Sequence, residues 1–92
     1  MEVRRKVTVT NEQGLHARPC HSIVSAAQAY RSELRIATGG RDVNGKSILE
    51  LMTLGAACGT ELELRAKGVD AEGLLSAVEA LFITGFGERG SA

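Results

Sequence analysis

Apolar and polar residues alternate along three segments of the chain, the pattern of a β-strand with one buried face and one face in water. The apolar positions of these segments are Val3, Val7 and Val9; Leu34 and Ile36; and Leu62, Leu64 and Ala66. Arg5 interrupts the apolar side of the first segment. We predict a strand at each segment, and a turn at TGG followed by a very short fourth strand around residues 41–43.

Other segments carry apolar residues at the i, i+3, i+4, i+7 spacing of an amphipathic helix. Their apolar positions are Cys20, Ile23, Val24 and Ala27 in one segment, and Ala71, Leu74, Leu75, Val78, Leu81 and Phe82 in the other. The later helix is predicted to begin after Asp70, a suitable N-cap residue, and to end near Gly85. A third, shorter helix is predicted to follow Ser47 through ILELMTLGAA.

The predicted elements follow the order βαββαβα. Strands with one wet face favour an antiparallel or mixed sheet with helices on its other face only, so the predicted fold class is α+β. The exposed positions of the first strand are basic and those of the fourth are largely acidic, so we expect these strands to pair. We predict a single domain over residues 1–86 and a flexible tail over 87–92, because GFGERGSA has three glycines and no periodic pattern.

Charge and hydropathy exclude several classes of partner. The 92 residues include 11 basic and 11 acidic side chains, so the balanced charge predicts no nucleic-acid partner and no attraction to an anionic membrane. No apolar run approaches the about 18 residues of a membrane span, and no signal-peptide pattern is present. We therefore expect a cytoplasmic protein without membrane insertion, with a monomer as the default state.

The two cysteines, Cys20 and Cys58, lie among small or apolar neighbours. A disulfide would be unusual in a reducing compartment, so two buried free thiols are expected. His16, Cys20 and His21 lie close in sequence, but Cys20 belongs to the buried helical stripe and His21 points elsewhere. We predict neither a metal site nor a cofactor.

The segment GGRDVNGKS matches the nucleotide-binding pattern GxxxxGK[ST] through Gly40, Gly45, Lys46 and Ser47. Such a loop needs a buried strand before it and a wide parallel sheet, whereas too few residues follow Ser47 to build one. Its variable positions also include two charges and a β-branched residue instead of small residues. We interpret the match as accidental. Nucleotide hydrolysis is kept as a third functional option, after the two that are described below.

The segment GLHARPCHS places His16 where the first strand ends and the first helix begins. Gly14 permits a tight turn, and Pro19 is tolerated in the first helical turn. A helix start offers free N–H groups and a partial positive charge, which disfavours imidazolium and leaves a lone pair on His16 for attack on phosphorus. The N–H groups of Ala17 or Arg18 and the Arg18 guanidinium could then neutralise the phosphoryl group. The alternative is an ordinary surface histidine near a helix cap.

The segments GLHARP and VNGKSILELMTLGAACG, the chain length and the element order together resemble the histidine-containing phosphocarrier (HPr) family of the phosphoenolpyruvate-dependent phosphotransferase system. The resemblance implies an HPr-like open-faced β-sandwich, a four-stranded antiparallel sheet with three helices on one face. It also implies that His16 accepts a phosphoryl group from phosphorylated enzyme I and passes it to a IIA-type domain. Arg18 would neutralise the phosphate and Pro19 would fix the start of the helix. The protein would be a carrier and not an enzyme, since its partners supply most of the catalysis.

Ser47 matches the serine that an HPr kinase phosphorylates in some members of this family. Ser47 and Glu50 also have the spacing of a capping box, a device that stabilises a helix by about 1 kcal/mol. The Glu50 carboxylate would then reach back to the Ser47 backbone and repel an added phosphate. Both interpretations of Ser47 remain open, with HPr kinase/phosphorylase as a candidate partner.

The short helix after Ser47 has more apolar residues than one buried face requires. Ile48, Leu51 and Gly55 fit the core side, which leaves Leu49 and Met52 exposed near His16. In the HPr family this region is the docking surface for enzyme I and IIA domains, and an adaptable methionine suits several partners. The alternative is that both residues are buried.

A second function from a different class uses the same histidine. An HPr-type regulatory module, in nitrogen-related or catabolite control, would change its affinity for a target with phosphorylation and take no part in sugar transport. Nothing in the chain separates this module from a carrier in sugar transport.

Overall fold

The computed structural model describes residues 1–88, and in this part of the chain the elements follow the predicted order βαββαβα. The elements are β1 (Glu2–Thr8), α1 (Ala17–Ala27), β2 (Glu33–Thr38), β3 (Arg41–Asn44), α2 (Ile48–Met52), β4 (Glu61–Lys67) and α3 (Ala71–Ile83), followed by a 3-10 turn at Gly85–Gly87. Helix α2 is shorter than the predicted ILELMTLGAA helix. It ends at Met52 because the chain tightens at Thr53, and Gly55 then adopts a left-handed conformation with φ of 59°.

The strands form one antiparallel sheet in the order β1-β4-β2-β3. The predicted pairing of β1 with β4 is confirmed, and its register sets Glu2 opposite Lys67 and Lys6 opposite Glu63. Arg4 faces Arg65, but a neighbouring carboxylate offsets this repulsion, because the Arg4 guanidinium lies 3.8 Å from Glu63. Opposite charges across the exposed face therefore support the register, each pair contributing about 0.2–1 kcal/mol.

All three helices cover the same face of the sheet, as predicted, and α1 packs against both α2 and α3. The largest fully buried side chains are Phe82, Ile23, Leu34, Ile36, Leu51, Leu62, Leu64, Leu74, Leu75, Val9 and Val78. Nearly all come from the alternating strand positions and the helical stripes, so the periodicity predicted the core. No helix within residues 1–88 combines the length and the apolar character needed to cross a membrane.

Arg5 points to the helical side of β1, where an apolar residue would be expected from the strand period. Its guanidinium donates to Glu72 at 2.8 Å and to Glu79 at 3.2 Å, two carboxylates spaced along α3. The arginine therefore joins the first strand to the last helix at the margin of the core, where the aliphatic part of its side chain packs and its charge is paired.

Asp70 occupies the predicted N-cap position of α3, but its carboxylate makes no capping bond to that helix. It accepts instead from the backbone N–H groups of Arg31 and Ser32, both at 2.9 Å, and from the Ser32 hydroxyl. The Ser32 hydroxyl and these N–H groups lower the pKa of Asp70 from 3.8 to about 2. The side chain therefore ties the start of α3 to the segment between α1 and β2.

The first two residues of the predicted tail, Gly87 and Glu88, contact the rest of the domain. The N–H of Gly87 donates to the Thr84 carbonyl (3.2 Å), and the N–H of Glu88 donates to the Gly85 carbonyl (2.9 Å). Residues 89–92 of the predicted tail lie outside the described residues.

Candidate functional site

His16 is the N-cap residue of α1, with extended backbone angles (φ −81°, ψ −173°). Its carbonyl accepts the first helical hydrogen bond from the N–H of Cys20 at 3.2 Å. The side chain is 35% exposed, so the imidazole lies at the surface and not in the core. The predicted position of His16 at the start of the first helix is confirmed, whereas β1 already ends at Thr8 and does not reach His16.

The loop before His16 is held by backbone hydrogen bonds to the segment after α2. Leu15 is buried, and its N–H donates to the Ala56 carbonyl at 2.9 Å, while the N–H of His16 donates to the Gly14 carbonyl at 3.0 Å. Gly14 has φ of 72°, and a Cβ there would lie 2.4 Å from the Ala56 oxygen. Only glycine fits this left-handed, close approach, so Gly14 fixes the path of the chain into His16.

The start of α1 presents donors beside the imidazole. Ala17 and Arg18 are the first two helical residues, where N–H groups have no partner within a helix, and both residues are exposed. Pro19 follows in the first turn, is buried, and has no N–H to satisfy, as predicted. The guanidinium of Arg18 forms no ion pair with any residue of 1–88. The arrangement can bind an anion next to a nucleophilic ring.

Glu88 reaches the imidazole of His16 from beyond the last helix. Its Oε2 lies 2.9 Å from Nε2 of His16, and its Oε1 accepts from the side-chain amide of Asn11 at 3.1 Å. Asn11 is buried, and the same amide nitrogen donates to the Gly14 carbonyl at 2.6 Å. The contact joins residues 72 apart in sequence, so periodicity could not reveal it.

The two cysteines have different environments. Cys20 is fully buried, as predicted, and burial raises the pKa of its thiol to about 11. Cys58 is exposed, so the prediction of a second buried thiol is wrong. Cys58 lies in the connection between α2 and β4, where Gly55 and Gly59 adopt left-handed turns on the surface. No group of three side chains suited to a metal ion occurs among the described residues, and His21 is exposed on α1.

The GxxxxGK[ST] match does not form a phosphate-binding loop. Gly45 packs closely on Leu34, and a Cβ at this position would lie only 2.4 Å from the leucine side chain. The ammonium of Lys46 donates to the Tyr30 carbonyl at 2.8 Å, just after the end of α1. The lysine is therefore used inside the fold, and the helix that follows Ser47 spans only five residues, Ile48–Met52.

Ser47 is the N-cap of α2, and its hydroxyl accepts from the N–H of Glu50 at 3.2 Å, as the capping box predicts. The reciprocal contact expected of Glu50 is wrong. Its carboxylate accepts from the N–H of Asn44 at 3.0 Å, while the N–H of Ser47 donates to the Asn44 carbonyl at 3.1 Å. The end of β3 offers the carboxylate an N–H, because the Ser47 N–H is already paired.

Helix α2 exposes two apolar side chains together with Glu50. Leu49 is 79% and Met52 is 44% exposed, which confirms that neither residue is buried. Of the three residues predicted on the core side, Leu51 is in the core and Ile48 is partly buried. The prediction is wrong for Gly55, which is exposed. Gly55 lies outside the shortened helix, so the helical spacing no longer sets its orientation. Helix α2 packs on α1, the helix whose N-cap is His16, so Leu49 and Met52 belong to the same helical layer as α1.

Comparison with known proteins agrees with this architecture. The model of the family "PTS HPr component phosphorylation site" matches residues 3–84. The chain belongs to the HPr family of phosphocarrier proteins. Phosphocarrier protein HPr of Treponema pallidum is 43% identical over 87 residues, which cover 95% of this chain and 99% of the relative. The crystal structure of HPr from Thermoanaerobacter tengcongensis superposes with a TM-score of 0.90 at 33% identity, over 95% of this chain and 98% of that one.

The HPr fold also occurs in a protein named for regulation. Crh, the Bacillus subtilis catabolite repression containing protein, matches with a TM-score of 0.70 at 36% identity, over 89% of this chain and 93% of that one. Its crystal structure is a domain-swapped dimer. Similarity to HPr proteins and to Crh therefore shows a phosphocarrier of the HPr family.

The sequence reasoning that identified an HPr-like chain missed Asn11 and Glu88. Asn11 follows β1 in the segment NEQG, where asparagine is an ordinary turn residue, so its burial was not evident. Glu88 lies among glycines without any periodic pattern. Their proximity to His16 depends on how α3 ends relative to the loop after β1.

Proposed function

We propose that His16 accepts a phosphoryl group from phosphorylated enzyme I and passes it to a histidine on a IIA-type domain. The observation that carries this proposal is the position of a half-exposed imidazole at the N-cap of α1. Membership of the HPr phosphocarrier family supports the same function. The protein acts as a covalently modified carrier, while its partners supply most of the catalysis.

The Glu88 contact indicates which ring nitrogen attacks. An ionised carboxylate can only accept a hydrogen bond, so Nε2 of His16 carries the proton that it donates to Glu88. The lone pair of the neutral ring is then on Nδ1. In the transfer, Nδ1 forms a bond to phosphorus while the bond between phosphorus and the donor enzyme's nitrogen breaks and leaves its electron pair on the donor.

The start of α1 stabilises the acquired charge. A phosphoryl group adds roughly −1.5 to −2 charge near neutral pH, together with three strong acceptor oxygens. The N–H groups of Ala17 and Arg18 and the positive end of the helix favour that charge. We propose that the Arg18 guanidinium, which has no ion pair within the described part of the chain, turns to the phosphate when it forms. Pro19 pre-sets the first turn and supplies no competing donor.

The proposed partners dock on the exposed apolar residues of α2. Leu49 and Met52 offer apolar surface on the same helical layer as α1, and methionine adapts to more than one partner. A carrier must release each partner rapidly, so a small apolar contact suits this function better than a large one.

Replacing Leu49 with Ser is expected to weaken binding to enzyme I about fivefold or more, because an anchor side chain of an interface usually contributes over 1 kcal/mol. Titration calorimetry with enzyme I measures this change. The matched control is Val69→Ser. Val69 is also exposed, but it follows the end of β4 that pairs with the start of β1, whereas the chain runs to His16 from the other end of β1. Equal losses in both variants, or no loss with Leu49→Ser, would exclude the proposed docking surface.

A second candidate function rests on the similarity to Crh. In this function the phosphorylation state controls binding to a regulatory target, and sugar transport is not involved. We propose Ser47 as a further phosphorylation site for an HPr kinase, since its hydroxyl caps α2 and is partly exposed. The Glu50 carboxylate accepts from the Asn44 N–H and not from the Ser47 N–H, so the contact from which repulsion of a phosphate was expected is not formed.

Incubation with phosphoenolpyruvate and enzyme I, followed by intact mass measurement, tests the proposed function. We expect the mass of one phosphate to be added and to be lost again after an acid wash, since phosphorus on an imidazole nitrogen is acid-labile. A chain that gains no phosphate would exclude the carrier function. An acid-stable adduct, obtained with ATP and an HPr kinase and absent in Ser47→Ala, would identify Ser47 as the site.

A further inference from the structure

Asn11, Glu88 and His16 form a chain of hydrogen bonds that runs from the buried Asn11 to the partly exposed ring of His16. The Asn11 amide donates to Oε1 of Glu88 at 3.1 Å, and Oε2 of the same carboxylate accepts from Nε2 of His16 at 2.9 Å. Each carboxylate oxygen therefore has its own donor. A carboxylate bound at both oxygens cannot rotate freely, so the hydrogen bonds fix its orientation toward the ring.

The neighbours of Asn11 determine the orientation of its amide. Its nitrogen faces two acceptors, the Gly14 carbonyl at 2.6 Å and Oε1 of Glu88 at 3.1 Å, so the opposite orientation would set oxygen against oxygen. Its Oδ1 is buried and finds no partner within residues 1–88. An unpaired buried oxygen is destabilising. The two donated bonds give a physical reason for an asparagine at this position.

The turn after α3 carries Glu88 back to the loop that precedes α1. Phe86 adopts φ of 59° within this turn, and its ring packs edge-on against Phe82 with centroids 4.9 Å apart. The N–H of Glu88 donates to the Gly85 carbonyl at 2.9 Å. A left-handed phenylalanine is uncommon and unfavourable, so packing against the core holds a specific path of the backbone. Glu88 is therefore placed by the fold.

We propose that Glu88, oriented by Asn11, is a positioning residue for phosphoryl transfer at His16. This proposal rests on the proposed function and adds to it the control of the proton on Nε2. The carboxylate selects the tautomer with hydrogen on Nε2 and leaves the lone pair on Nδ1. It also holds the ring in one orientation toward the incoming phosphorus.

The charge on the ring explains why a carboxylate, and not only a neutral acceptor, suits this position. When Nδ1 bonds to phosphorus, the neutral ring gains a positive charge that it shares with Nε2–H. The Glu88 carboxylate stabilises this charge, so the proton stays on Nε2 while the phosphoryl group is bound. When the N–P bond breaks toward the next acceptor, its electron pair returns to Nδ1 and the ring is neutral again. No proton is gained or lost in either step.

Two variants separate the contact from the charge of Glu88. Glu88→Gln keeps the size of the side chain and removes its charge, while Glu88→Ala removes the contact altogether. We expect both variants to accept phosphate from enzyme I about tenfold more slowly than the parent chain, by analogy with the lower end of the effect seen when the carboxylate partner of a metal-binding histidine is removed. The matched control is Glu72→Gln, because Glu72 is an exposed carboxylate on α3 whose partner is Arg5 of β1 and not His16.

The tautomer of His16 distinguishes a positioning role of Glu88 from a purely structural one, because loss of stability alone would not change it. Nitrogen-15 NMR of the unphosphorylated protein, at a pH where the imidazole is neutral, is expected to show hydrogen on Nε2 in the parent chain and in Glu72→Gln. In Glu88→Ala we expect a mixture of both tautomers. Thermal denaturation of each variant verifies that the domain remains folded during both measurements.

The outcomes distinguish this proposal from the proposed function. If the parent chain accepts phosphate while the Glu88 variants match Glu72→Gln in rate and in tautomer, Glu88 has no positioning role and the carrier function stands. If the parent chain accepts no phosphate from enzyme I, both proposals are wrong. A slow Glu88→Gln variant with an unfolded Glu88→Ala variant still supports the positioning role, because the glutamine preserves the packing.

Discussion

Replacing His16 with Ala is expected to abolish the acid-labile phosphorylation by enzyme I completely. His16 is the N-cap of α1, and the proposed function makes its ring the nucleophile at that helix start. Alanine removes the attacking lone pair but leaves the N–H groups of Ala17 and Arg18 in place. Since those donors stabilise a phosphate without bonding to phosphorus, they cannot replace the nucleophile. Intact mass measurement after incubation with phosphoenolpyruvate and enzyme I records the loss.

His21→Ala is the matched control for this experiment. His21 belongs to the same helix and is exposed, but it lies three to four residues, about one helical turn, beyond the free N–H groups of Ala17 and Arg18. We expect this variant to accept phosphate at the rate of the parent chain. An acid-labile adduct that persists in His16→Ala and disappears in His21→Ala would show that His21 accepts the phosphate, and it would contradict the proposed role of His16.

Replacing Gly14 with Ala is expected to lower the free energy of unfolding by about 3 kcal/mol, a large part of the stability of a small domain. The new Cβ would lie 2.4 Å from the Ala56 carbonyl oxygen and 3.0 Å from the Cα of Ala57. Both neighbours are backbone atoms, so the loop and not a flexible side chain must shift. The shift strains the hydrogen bond from Leu15 to Ala56 and displaces His16. Chemical denaturation measures the stability, and the phosphorylation rate should fall with it.

Gly40→Ala separates the two causes of this loss. Gly40 also has a left-handed conformation, with φ of 82°, but a Cβ there meets no atom within 4 Å. Its substitution is expected to cost only about 1 kcal/mol and to leave phosphorylation unchanged. If the two variants lose the same stability, the close approach to Ala56 does not matter and the conformation of the glycine explains the whole effect.

The order and type of the elements could be predicted because their signals are local. The alternation through Leu62 and Leu64 and the helical stripe through Leu74 and Val78 both name the face that is buried. The opposite charges of β1 and β4 predicted their pairing, which the register of Lys6 with Glu63 confirms. His16 could be predicted as the candidate nucleophile because GLHARP sets a histidine at a helix start.

Polar contacts between distant segments could not be predicted in the same way. Glu50 was expected to bind the Ser47 backbone, but the end of β3 offered the N–H of Asn44 instead. Asp70 was expected to cap its own helix, but it binds the N–H groups of Arg31 and Ser32. A short polar side chain bonds to whichever donor lies in reach, and the fold decides which donors those are.

The exposure of residues outside helices and strands could not be predicted from the sequence either. Cys58 and Gly55 have apolar or small neighbours in sequence, yet both are exposed in the connection after α2. Once the helix ends at Met52, neither the period of a helix nor that of a strand relates the direction of a side chain to its position in the sequence.

The sequence by itself determined the elements, the buried faces and the histidine at the start of α1, since each depends on residues only a few positions apart. Only the tertiary structure decided that Glu88 meets His16 and that Lys46 meets Tyr30, since those contacts join separate segments through the packed core. The physical reason is one of range. Periodicity and capping act within a few turns of chain, whereas a hydrogen bond between side chains depends on where distant backbones end.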